Sequence, residues 1–94
     1  MNNILKSLNA GAIVVDVRTF AEYADGHLPG SINIPLNEIA SRLSEFERQS
    51  DGLVVCCASG IRSNKAVNIL KQYGIECVDG GSWLNLKHLT NLDK

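Results

Sequence analysis

Four short apolar runs punctuate the chain, at residues 12–17, 31–34, 53–57 and 75–79, and each has the length expected of a buried strand. Between them, apolar residues recur at helical spacing. After Pro35, which suits a helix start, Leu36, Ile39, Ala40, Leu43 and Phe46 share one face, while Glu38, Ser41, Arg42 and Glu45 form the polar face. Ala66, Ile69, Leu70 and Tyr73 predict a further helix over residues 63–73, with Gly74 as its C-cap. Ile4, Leu5 and Leu8 predict a short opening helix over residues 2–9, and Thr19 is placed to N-cap a short turn through Phe20 and Tyr23. Beyond Gly80-Gly81, residues 82–89 carry a helical tail. Strands alternating with helices predict an α/β domain around a mostly parallel sheet. No repeat, low-complexity tract or linker interrupts the pattern, so residues 1–94 read as one domain.

Composition narrows the partners more than the fold. The net charge is −1, and the only basic grouping is Arg62 with Lys65, which leaves no electrostatic footprint for nucleic acid. No run approaches the roughly 20 apolar residues of a membrane span. The first residues lack the apolar stretch of a signal peptide, so the expectation is a cytoplasmic protein that meets neither membrane nor nucleic acid. Three cysteines are an odd count, and none falls in a Cys-x-x-Cys or Cys/His spacing. Neither a disulfide framework nor a metal site is indicated, and no cofactor is expected.

The chemistry concentrates where the third apolar run ends. Cys57-Ala58-Ser59-Gly60-Ile61-Arg62 puts a thiol at the point where a buried strand hands over to a helix N-terminus. Loop and first-turn N–H groups, the positive end of the helix dipole and Arg62 all favour a thiolate there. The same N–H groups can hold an anionic substrate or a charged sulfur intermediate. Adjacent strand side chains point to opposite faces, so only one of Cys56 and Cys57 can share the pocket of this loop. Cys77 reads as a thiol packed within a strand. In parallel α/β sheets ligands bind beyond the carboxyl ends of the strands, which brings Cys57, residues 16–18 and residues 79–81 to one rim.

Four segments in order, Val15-Asp16-Val17-Arg18 with Glu22-Tyr23, residues 26–35 from Gly26-His27 to Ile34-Pro35, the loop from Cys57 to Ser63, and Gly80-Gly81 with Trp83, resemble the rhodanese family of sulfurtransferases, specifically its small single-domain members. The resemblance implies a three-layer α/β/α fold with a small, mostly parallel central sheet of roughly four or five strands. It also implies a catalytic cysteine that takes sulfane sulfur from a donor such as thiosulfate, becomes a persulfide, and passes the sulfur to cyanide, a thiol or a protein. By position the nucleophile falls on Cys57. Ala58, Ser59, Gly60, Ile61 and Arg62 fall on the loop whose N–H groups surround the persulfide. A monomer serving a small sulfur donor and acceptor, or a protein in either role, is the implied setting.

Around that loop, Asp16, Arg18 and Glu22 are candidates for a supporting role. Asp16 and Arg18 flank Val17 and project to one side, where Arg18 either holds an anionic donor or, more simply, pairs with Asp16 or Glu22. Arg62 poses the same choice between a donor's sulfonate and a carboxylate. His27, in Gly26-His27-Leu28-Pro29-Gly30, reads as a hydrogen-bonder that fixes a turn, His88 as a surface residue, and Trp83 as core or pocket wall.

The chain departs from the family pattern in ways that keep other readings open. Counted from Cys56, the loop is Cys-x5-Arg-Ser, the phosphate loop of cysteine-dependent phosphatases and arsenate reductases; counted from Cys57, it is the shorter Cys-x4-Arg. The strand pattern decides between them, because Cys57 enters the loop only if it shares a face with Val55. A phosphatase would also need a preceding His and a nearby Asp acid, and Val55 precedes Cys56. A docking or regulatory module is a third reading, although such modules usually lose the cysteine kept here. The chain also starts almost at its first helix, so one edge strand is expected to be missing, and Trp83 follows Gly81 after only Ser82.

Overall fold

The structure, a computed structural model, describes residues 3–47 and 52–92. Helix α1 (Asn3–Asn9) leads into strand β1 (Ile13–Asp16), α2 (Phe20–Ala24) and β2 (Ile32–Asn33). A 3-10 segment (Leu36–Ser41) and α3 (Leu43–Glu47) precede β3 (Leu53–Cys57), α4 (Ile61–Gln72), β4 (Val78–Ser82) and α5 (Trp83–Leu92). The four strands form one parallel sheet in the order β2-β1-β3-β4. Residue 2, the first of the expected opening helix, lies outside the described residues.

Side-chain alternation divides the core into two. Val15, Val17, Val55 and Cys57 point to one face, where they pack with Ile34, Ile39, Phe46, Ala66, Val67 and Leu70. Val14, Val54 and Cys56 point to the other, against Leu28 and Leu86, with Ile4, Leu8, Trp83 and Leu89 packed around them. The sheet is thus sandwiched between α4 with the 3-10 segment and α3 on one side, and α1 with α5 on the other. This is the three-layer α/β/α arrangement, and burial on both faces explains why the strands read as continuous apolar runs.

Two elements differ from their sequence outline. The helix expected through residues 36–46 is broken at Arg42, whose φ of −126° and ψ of 29° leave the helical region. Its guanidinium binds Glu38 at 3.0 Å and Glu45 at 2.6 Å. The apolar pairs Leu36/Ile39 and Leu43/Phe46 are each spaced by three, which suits the tighter turn of the 3-10 segment as well as an α-helix. The fourth strand is shifted toward the C-terminus, because Ile75 is consumed in ending α4. The N–H groups of Gly74 and Ile75 turn back to the carbonyls of Lys71 and Leu70, both at 3.0 Å, and Gly74 has a φ of 76°. Cys77 therefore precedes β4 and is only half-buried.

At its other end β4 runs through the glycine pair. Val55 pairs with Asp79 but Cys56 pairs with Gly81, leaving Gly80 as the extra residue of a β-bulge. A Cβ on Gly80 would lie 2.7 Å from Val54 Cγ1 and 3.1 Å from the Val55 carbonyl oxygen. Only glycine lets β4 approach β3 this closely, and the bulge turns Asp79 and Gly81 toward the end of β3.

Candidate active site

With β2 beyond β1 and β4 beyond β3, the order of the chain reverses between β1 and β3, the point at which parallel α/β sheets bind their ligands. Cys57 ends β3 at that point and is fully buried. Gly60, with a φ of 101°, turns the chain into α4 without a side-chain cap. The sulfur fills that role, since Cys57 Sγ accepts the N–H of Gly60 at 2.9 Å and of Ser63 at 3.3 Å. Burial pushes the Cys57 thiol up, but the polar donors around it, Ser63 first and then the N–H groups of Gly60 and Ser59, outweigh it and hold the thiol below its ordinary value. The result is a thiolate-favouring nest at a helix N-terminus, open to the outside through exposed Ala58, Ser59 and Ile61.

Ser63 and Asp79 extend this nest. The fully buried Ser63 hydroxyl has one proton to give, and it lies 2.7 Å from Asp79 Oδ1 and 3.1 Å from the Gly60 carbonyl. Asp79 Oδ1 also accepts the Gly81 N–H at 2.9 Å. Ser63 thus links the bulge of β4 to the cysteine loop. Neither role was assigned from sequence; the one available signal was a hydroxyl directly after Arg62 facing a carboxylate directly before the glycine pair.

Cys56 has the opposite character. It shares its face with Val14 and Val54, is fully buried, and its thiol is pushed up to about 12 by burial and then by the Asp16 charge. Val55 and Cys57 do share a face, so the loop belongs to Cys57. Burial also raises the Cys77 thiol. Because Val78 pairs with Val54, Cys77 lies near the level of Leu53, about 13 Å along the sheet from Cys57 at ~3.3 Å per residue. A disulfide spans at most about 7 Å between Cα atoms, so Cys77 cannot bridge to Cys57 without rearrangement, and Cys56, although adjacent, points to the opposite face of the sheet. All three cysteines are free.

The candidate side chains around the loop separate into two ion pairs. Asp16 and Arg18, both buried, face the Cys56 side of the sheet: Arg18 Nη2 lies 2.8 Å from Asp16 Oδ2 and Nε lies 3.0 Å from both carboxylate oxygens. Arg18 also donates to the carbonyls of Glu22 and Gly26, and its guanidinium carbon sits 4.7 Å from the Trp83 ring centroid. Hydrogen bonding to Asp16 raises its already high pKa. Arg18 therefore serves as a buried tie between β1, α2 and α5, which leaves it turned away from the sulfur.

Glu22 does reach the loop. Its carboxylate oxygens accept Arg62 Nη1 at 2.6 Å and Nη2 at 2.9 Å. Oε1 also accepts the N–H and hydroxyl of Thr19, at 3.0 and 3.1 Å, completing a capping box on α2. The hydrogen bonds from Arg62 and then from Thr19 hold Glu22 down to about 2. Those to Glu22 raise Arg62. His27 fixes the following turn, with Nδ1 at 2.8 Å from the Tyr23 carbonyl and its ring stacked on Tyr23 at 3.8 Å. His88 is exposed, and Trp83 is partly buried against the core. Among the described residues, no group of three or more His, Cys, Asp or Glu is placed to hold a metal ion, and no helix is long and apolar enough to cross a membrane.

Known proteins share both the sequence and the architecture. The chain is 39% identical over 75 residues to a sulfurtransferase of Allochromatium vinosum, a match covering 80% of this chain and 64% of that protein. It is 34% identical over 71 residues to the thiosulfate sulfurtransferase PspE of Escherichia coli, covering 74% and 68%. The chain spans only about a third of some other relatives, as in YrkF of Bacillus subtilis, where 37% identity over 65 residues covers 35% of that protein. Among solved structures, a rhodanese-related protein of Thermoplasma volcanium superposes with a TM-score of 0.73 at 36% identity, over 85% of this chain and 82% of that one. The rhodanese-like domain matches residues 2–85, nearly the whole sequence, and on these grounds the chain belongs to the rhodanese-like domain family.

Proposed function

We propose that this protein transfers sulfane sulfur through a persulfide on Cys57. The observation that carries the reading is the Cys57 sulfur itself, buried at the end of β3 and accepting two backbone N–H groups from the loop and first turn of α4. With thiosulfate as donor, the Cys57 thiolate attacks the outer sulfur, the donor S–S bond breaks, and sulfite leaves with the bonding pair. One proton taken up from water leaves the new persulfide neutral. An acceptor thiolate or cyanide then attacks the outer sulfur and releases the Cys57 thiolate, so no metal, cofactor or external oxidant is needed. The N–H groups around the sulfur are fixed before reaction and stabilise the charge it carries as the attacking thiolate and regains when the acceptor takes the outer sulfur. The phosphatase register has less support, because Cys56 lies outside the nest with its thiol pushed up to about 12.

Intact-mass measurement tests the proposal. Incubation of the reduced protein with thiosulfate is expected to add one sulfur atom that cyanide removes. Cys57→Ser should abolish the adduct, and Cys56→Ser should retain most of it. An adduct that depends on Cys56 instead would move the nucleophile by one residue. No adduct with thiosulfate or with a persulfide donor would overturn the proposal.

A further inference from the structure

Arg62 is the side chain at the loop best placed to attract an anionic donor, and Glu22 occupies it. The pair is end-on, each terminal guanidinium nitrogen meeting one carboxylate oxygen, at 2.6 and 2.9 Å. Glu22 is itself fixed by two further donors from Thr19, so it is held by α2 while it binds α4. The other guanidinium at this end of the sheet, Arg18, is buried under Asp16 and Trp83. Charge at the mouth is therefore neutralised by residues already in place. A donor with an anionic tail must compete with Glu22, whereas a donor whose only charge is on the reacting sulfur needs no such cation. Near these residues in sequence, Phe20 on α2 is 73% exposed and Ile61 at the start of α4 is 66% exposed.

We infer that Glu22 is a specificity-determining residue that masks Arg62, so that the site favours the persulfide of an uncharged thiol over free thiosulfate as sulfur donor. The inference rests on the sulfur-transfer reading above and narrows its substrate class. In the favoured reaction, the Cys57 thiolate attacks the outer sulfur of R–S–SH. The donor S–S bond breaks, a new S–S bond forms on Cys57, and the pair leaves with R–S⁻, so atoms and electrons balance without a co-reactant. The tail R carries no charge to set against Glu22. Thiosulfate would instead bring its sulfonate up to a carboxylate.

Glu22→Gln is the informative variant, because glutamine retains an acceptor for the Thr19 N–H while losing the charge that holds Arg62. The quantity to measure is the ratio of kcat/KM for thiosulfate to that for the persulfide of 2-mercaptoethanol. The variant should shift this ratio about tenfold toward thiosulfate, mainly through a lower thiosulfate KM, and the shift should shrink at high salt. Adding Arg62→Gln should reverse it. An unchanged ratio, a parallel loss with both donors, or a shift that survives Arg62→Gln would overturn the inference.

A wild-type measurement guards against a variant that folds poorly. With Arg62 masked, the thiosulfate KM should be nearly independent of ionic strength, and a KM that climbs steeply with salt would reveal an available cation. If neither donor loads Cys57 in the wild-type protein, the sulfur-transfer reading fails and takes this inference with it. If both donors load it but the ratio and salt dependence go the other way, only the assignment to Glu22 fails.

Discussion

A thiol becomes reactive when hydrogen-bond donors surround it and unreactive when apolar groups do, and Cys56 and Cys57 divide along that line although both are fully buried. In single-cysteine variants, the ultraviolet absorbance of the Cys57 thiolate should appear below the ordinary thiol value, and that of Cys56 only near pH 12. Ser63→Ala removes the hydroxyl by which the cysteine loop is tied to Asp79. Losing this tie should loosen the donors around the sulfur and raise the Cys57 midpoint, with slower sulfur loading at neutral pH. An unchanged titration would mean that the backbone donors alone set the thiolate. Which cysteine faces the loop was legible in the sequence, because strand alternation and the face of Val55 follow from period alone. The Ser63–Asp79 contact was not, since it depends on a bulge that shifts β4 by one residue against β3.

At the scale of elements, two glycines control how the site is assembled. Gly60 has a φ of 101°, and an alanine there should cost about 1–2 kcal/mol while turning an N–H away from the sulfur. Gly80→Ala should cost about 1–3 kcal/mol by forcing β4 away from β3, where Val54 Cγ1 would be only 2.7 Å from the new methyl. Urea unfolding measures both losses. They are expected to part in the Cys57 titration, with Gly60→Ala moving the midpoint directly. Sequence reading placed Gly74 correctly as the end of α4, because a helix stop needs only local chemistry. It treated Gly80-Gly81 as the end of the fourth strand, although the bulge carries the strand through them. The break at Arg42 was equally hidden, since Leu36, Ile39, Leu43 and Phe46 fit one continuous helix as well as two short pieces.

For the molecule as a whole, the ion pair between Glu22 and Arg62 joins segments 40 residues apart in sequence, and no pattern of spacing announces such a pairing. It should also mark the response to acid. Glu22 is held down to about 2 from an ordinary 4.5, so between those values the folded chain binds fewer protons than the unfolded one. The stabilisation is complete above pH 4.5 and is lost as pH falls through about 2. Glu22→Gln should therefore flatten the acid limb of the stability curve measured by urea unfolding, and an unaltered limb would show that the pair adds nothing in solution. The layers and the parallel sheet were readable because both faces of every central strand are buried. The same burial isolates Cys57 from its chemical kin, with Cys56 behind the sheet and Cys77 near the far end of β3. A peroxide that converts Cys57 to a sulfenic acid would find neither Cys56 nor Cys77 in position to trap it as a disulfide, so rescue through a disulfide has to draw on some other thiol.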